Sequence, residues 1–143
     1  MMMHDLAIQK TYRPWVIPSE RRLRALFERA LRMHPHARRV SLVCTFIGDA
    51  AMERLNRAYR GKHRTTDVLS FVYTNTRVTL DGEIVISVPQ ARRQARQIGQ
   101  SVEDELSFLF VHGVLHTFGL DHEQSAAEER RMIALQKKIL MRR

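Results

Sequence analysis

Two periods of hydrophobicity alternate along this chain. Leu23, Leu26, Phe27, Ala30 and Leu31 recur at helical spacing behind Ser19, whose hydroxyl suits a helix N-cap, and Pro35 stops the run. Arg21, Arg22, Arg24, Arg29 and Arg32 fall on the other side of that helix. A first strand is expected near Leu6–Arg13, before Pro14 and Pro18 interrupt the chain. Val40–Ile47 is rich in β-branched and aromatic residues and predicts a second strand. Gly48 and Asp49 turn the chain, and Asp49 can cap a helix to Tyr59 with Met52, Leu55 and Tyr59 facing inward. After a polar, basic segment, Arg60–Thr66, the runs Asp67–Tyr73 and Glu83–Val88 predict two more buried strands. Asp81-Gly82 is the turn signal in the connection between them.

Pro89 fits the first turn of a helix to Ile98, with Gly99 as its stop. Ser101 and Asp104 resemble a capping box opening a helix to Phe118, apolar nearly all round through Leu106, Phe108, Leu109, Phe110, Val111, Val114 and Leu115. Such a helix belongs at the centre of a fold. Ser125 and Glu128 repeat the capping pattern before a final helix that ends in a basic tail. No repeat, low-complexity tract or linker divides the chain, so residues 1–143 read as one α+β domain. Its small mixed sheet would pack with about five helices.

Composition adds limits. Hydrophobic residues at 44% and charged residues at 27% are ordinary for a soluble globular chain. Cys44 is the single cysteine, which excludes an intrachain disulfide and a cysteine-rich zinc knuckle and suits a reducing compartment. No apolar stretch reaches the ~18–20 residues that span a bilayer, and the start, MMMHDLAIQK, lacks a secretory apolar core. A cytoplasmic location without a membrane partner is the expectation. The formal charge is +9, and arginine dominates, since lysine occurs only at positions 10, 62, 137 and 138. An arginine-rich excess favours polyanions, and phosphate in particular.

The candidate chemistry lies in HGVLHTFGLDH, His112–His122. His112 and His116 are four residues apart on the central helix, so their Cβ atoms lie roughly 5–6 Å apart on one face. Both imidazoles can then reach one metal ion at about 2.0–2.1 Å. Gly119 can turn the chain so that His122 supplies a third ligand. Two ordinary polar side chains are the bland alternative, but an unpaired imidazole on a buried helix is costly. Three neutral ligands leave a tetrahedral position open, as hydrolytic zinc sites do. Asp121 could be a fourth ligand, but reads better as a carboxylate supporting the ligands from behind. Imidazoles also suit nickel, copper and iron. His4, His34, His36 and His63 read as solvent or phosphate contacts.

This spacing is that of the metzincin peptidases, except that Gly113 stands where they keep a glutamate base. Without that carboxylate, peptide hydrolysis is disfavoured. A phosphodiester has a better leaving group and places a negative charge on the cation.

Three blocks, LNRAYRGKHRTTDVLSF (Leu55–Phe71), GEIVIS (Gly82–Ser87) and HGVLHTFGLDH, resemble the YbeY family of bacterial endoribonucleases. The resemblance implies a zincin-like α+β fold and one zinc ion per chain on His112, His116 and His122. It also implies action on single-stranded RNA in ribosomal RNA processing, notably at the 3′ end of the small-subunit rRNA, and in ribosome quality control. The family's functional arginine falls on Arg60. By its own position, Arg60 leaves a helix end beside Lys62 and Arg64 and could clamp a phosphate. On this reading Arg60 and His112 are catalytic, while Arg60, Lys62 and Arg64 hold RNA. Val72 and Thr65 stand where the family often has proline, Glu83 where it has aspartate, and Thr117 and Phe118 also differ from the common pattern. Two other readings are a metallopeptidase and a non-catalytic, zinc-stabilised rRNA-binding assembly factor.

Overall fold

Serine hydroxyls start helices where the sequence predicts them. Ser19 accepts from the Arg22 amide at 3.1 Å, Ser101 from Asp104 at 3.1 Å and Ser125 from Glu128 at 3.0 Å. Each satisfies an amide that the first helical turn leaves without a partner. The computed structural model describes residues 3–33, 38–61, 66–120 and 125–141. In chain order they form β1 (Met3–Lys10), α1 (Glu20–Leu31), β2 (Arg39–Ile47), α2 (Asp49–Arg60), β3 (Val68–Asn75), β4 (Thr79–Ser87), α3 (Val88–Ile98), α4 (Val102–Thr117) and α5 (Ala126–Met141). The expected small α+β architecture, a mixed sheet with five helices, is what these elements build.

The sheet runs β1-β2-β4-β3. β1, β2 and β4 are parallel, and β3 returns antiparallel along β4 as an edge strand. Alternation along the strands sorts the core. Leu42, Cys44, Phe46, Ile84 and Ile86 join the large cluster with α1, α3, α4 and α5, whereas Ile47, Leu69 and Val85 form a smaller one with Met52 of α2. α4 is buried through most of its length and touches α1, α3, α5, β3 and β4. Cys44 is buried there too, and burial pushes its thiol pKa up, which fits a core residue rather than a reactive one.

Several expectations are corrected. Asp81-Gly82 is not a turn but the middle of β4; the chain reverses instead at Thr76, whose amide donates to Thr79 O at 2.8 Å and whose hydroxyl accepts from the Thr79 amide at 3.0 Å. Gly82 is needed inside the strand because a Cβ there would meet the Phe71 carbonyl oxygen at 2.7 Å. The N-cap of α2 is Gly48, and Asp49 is its first residue, held by Arg93 at 2.8 Å and by the Ser87 hydroxyl at 3.2 Å. Tyr59 does not face inward: it is 67% exposed. β1 ends at Lys10 rather than Arg13.

The arginines are not one free surface. Arg22 donates to Ser107 Oγ at 3.2 Å, and Arg29 donates to the Ile139 carbonyl at 2.8 Å, so both tie α1 to its neighbours. No helix among the described residues is long and apolar enough to cross a membrane.

Candidate metal centre

α4 carries His112 and His116 on consecutive turns, both half-buried on a helix whose neighbouring positions are buried. Their rings lie with centroids 4.5 Å apart, tilted by 45°. Phe108, one turn earlier, stacks against His112 at 6.3 Å and 27°. On the far side of the ring, His112 Nδ1 lies 2.6 Å from the amide nitrogen of Gln136, a buried residue of α5. The imidazole thus has an aromatic neighbour in α4 and a polar partner in α5.

Gly113 lets the helix come this close to the sheet. A Cβ at this position would stand 2.6 Å from Ile84 Cγ2, inside any tolerable contact. The Ser70 hydroxyl of β3 donates to the Gly113 carbonyl at 3.2 Å, pinning the edge strand to the histidine turn. The missing glutamate therefore has a packing cause as well as a chemical consequence. Gly119 has φ 89°, a left-handed conformation that ends α4.

The histidine pair opens into a groove of about 830 Å³ lined by Tyr59, Arg60, Thr66–Phe71, His112, His116 and Gly119. Arg60 is the last residue of α2, and the Gly61 amide closes that helix on Arg57 and Asn56 carbonyls. A cation at a helix C-terminus is favoured by the helix dipole. Tyr59 meets Phe71 edge-to-face at 5.0 Å, so an exposed ring borders the same groove as Arg60. β3 also lines the groove, and it is an edge strand of the sheet among the described residues.

Within the groove lining, Asp67 orders the start of β3. Its carboxylate accepts from the Val68 amide at 2.8 Å and from Gln94 at 3.3 Å. Gln94 also bonds Glu105 of α4, which takes a 2.9 Å bond from Gln100. Burial raises the Glu105 pKa, with the nearby negative Asp67 adding to the effect.

The structure brings Arg60, His112 and His116 to one groove. Lys62, Arg64, Asp121 and His122 lie outside the described residues, as do His34, His36 and His63. Among the described residues, no three His, Cys, Asp or Glu side chains gather into a metal-holding group. The half-site present, two imidazoles on one helix face opening on a polar groove, is chemically suited to a borderline-soft divalent ion. Phe108, Ser70 and Gln136 escape the sequence reading. Gln136 carried one usable signal, a polar residue on the apolar stripe of Met132 and Ile139.

Comparison with known proteins settles the relationship. The family model described as Endoribonuclease YbeY matches residues 9–143. The chain belongs to the YbeY endoribonuclease family. An endoribonuclease YbeY of Persephonella marina is 38% identical over 110 residues, covering 74% of this chain and 72% of that one. Its Bacillus cytotoxicus counterpart is 34% identical over 129 residues, 82% of each chain. The solution structure of a Thermotoga maritima protein matches with a TM-score of 0.63 at 25% identity, covering 94% of this chain and 86% of that one. Thr117, buried in α4, donates its hydroxyl to the Val114 carbonyl at 2.6 Å.

Proposed function

We propose that this YbeY-family protein is a zinc-dependent endoribonuclease that cuts single-stranded RNA during ribosomal RNA maturation, including the 3′ end of the small-subunit rRNA, and in ribosome quality control. The observation that carries this reading is the shared groove: the histidine pair, Arg60 and an exposed aromatic ring all border it. His112 and His116, with His122 from the segment after α4, would hold the ion. Bound there, zinc supplies Lewis-acid polarisation of a phosphate oxygen or a water of lowered pKa.

The remaining work falls to the chain itself. Arg60 grips a phosphate oxygen and offsets the charge that grows on it in the transition state. Tyr59, braced by Phe71, offers a face on which an unstacked base can lie. Lys62 and Arg64 extend the cationic path along the RNA backbone. Asp121 supports the ligands from behind. The +9 charge draws RNA and the small ribosomal subunit towards the protein. The single buried Cys44 suits work in the cytoplasm.

A peptide substrate has one feature in its favour, since an extended chain could pair with the β3 edge. Gly113 weighs against it, because no carboxylate stands at that position to take a proton from water. The deciding experiment pairs metal analysis with cleavage of defined single-stranded RNA by wild type, Arg60→Ala and His116→Ala. His116→Ala is expected to lose zinc and cleavage together, and Arg60→Ala to lose cleavage while keeping zinc. Equal cleavage by all three preparations would defeat the reading. Zinc-dependent melting without cleavage would favour an assembly factor.

A further inference from the structure

α5 sends one polar side chain into the core. Gln136 is 2% exposed and sits on the same stripe as the buried Met132 and Ile139. A primary amide at such depth is retained only where its hydrogen-bonding groups are used. Here the amide nitrogen lies 2.6 Å from His112 Nδ1, and half a rotation of the amide would put its carbonyl oxygen there instead.

A neutral imidazole carries its proton on one nitrogen, and the partner of Nδ1 decides which. If an amide N–H faces Nδ1, the proton goes to Nε2 and blocks the remaining nitrogen. If the amide is turned by half a rotation, its carbonyl oxygen accepts from Nδ1–H and Nε2 carries no proton. The two arrangements have nearly the same shape, so the pocket holds either. Nδ1 is committed to α5 in both, which leaves Nε2 as the only ring nitrogen able to bind an ion. Phe108 lies against the face of the same ring.

We propose that Gln136 is a positioning residue for the metal centre: its carbonyl oxygen takes Nδ1–H of His112 and holds Nε2 ready as a ligand. This rests on the zinc-binding reading above. It gives α5 a task that its sequence, basic and amphipathic, does not otherwise suggest. It also explains a neutral amide at a buried place where leucine would pack as well.

The test compares wild type with Gln136→Met, which keeps the volume and removes the acceptor, and Gln136→Glu, which can only accept. Nitrogen chemical shifts of the His112 ring report its tautomer, and competition with a chelator reports zinc affinity. Gln136→Met is expected to lose about 10- to 100-fold in zinc affinity. Gln136→Glu should restore it, with the proton held on Nδ1. A merely structural glutamine would alter melting temperature in both variants without moving the tautomer. Unchanged zinc affinity in Gln136→Met overturns this inference alone, and so does an Nε2–H tautomer of His112 in the zinc-loaded wild type. A wild type that takes up no zinc overturns both readings.

Discussion

Gly113 of α4 faces Ile84 of β4 across a gap that has no room for a methyl group: a Cβ would lie 2.6 Å from Cγ2 and 3.3 Å from Cγ1. The residue beside the first histidine is therefore set by how closely the helix lies on the sheet. Gly113→Ala is expected to destabilise the fold by about 1–3 kcal/mol through overpacking. In an Ile84→Ala background the same change should cost far less, which a denaturant double-mutant cycle would measure. Additive costs would show that the two residues are not in conflict.

At the groove's lip the expected effects separate by residue. Tyr59→Ala should raise KM for single-stranded RNA by roughly 10-fold, the loss of one base-stacking contact. Tyr59→Phe should leave it near wild type. Arg60→Ala should instead lower kcat, on the order of 10²-fold, because its charge acts most strongly on the transition state. Zinc content measured on each variant should not change. Equal KM for Tyr59→Ala and wild type would remove the ring from the substrate path.

Charge and structure can be told apart among the arginines. Arg29 is committed to the Ile139 carbonyl, so Arg29→Ala should cost about 1–2 kcal/mol of stability. The dependence of RNA affinity on salt concentration should keep its slope, since no phosphate contact is lost. A shallower slope in this variant would place Arg29 on the RNA instead.

Glu105 should give stability a pH signature. Its pKa is raised in the fold by burial, with Asp67 adding to it, while Gln100 and Gln94 bond its oxygens and partly oppose the shift. Between its unfolded value near 4.5 and the higher folded value, the native state holds the extra proton. That contribution is full below the unfolded value and is lost as pH rises through the folded one. Glu105→Gln, which is neutral at every pH and keeps one acceptor oxygen, should therefore raise the melting temperature at neutral pH and flatten its dependence on pH above about 4.5. Identical pH profiles for variant and wild type would exclude the mechanism.

What the sequence made legible was governed by short range. The serine caps at 19, 101 and 125 need only an amide three residues on, and the histidine pair needs only the helical repeat. Errors arose where a local cue served a distant neighbour. Asp81-Gly82 reads as a turn, but Gly82 is there for the carbonyl of Phe71 on the adjacent strand. Asp49 resembles a cap, but its carboxylate is taken by Ser87 at the end of β4 and by Arg93 of α3. Tyr59 fits the inward stripe of α2, yet that helix ends at the groove and the ring overhangs it. The link from Gln136 to His112 spans 24 residues and two helices, and no periodicity encodes it.

Because α4 touches three helices and two strands, the amides around His112 cannot open without unfolding most of the protein. Their hydrogen exchange should be among the slowest in the chain. Tyr59 and Arg60, exposed in the last turn of α2, can be replaced at little cost to the remainder. The groove therefore pairs a floor that evolution can alter only by rebuilding the core with a rim that can be retuned one residue at a time. Divergence in substrate preference within this architecture should gather on the rim.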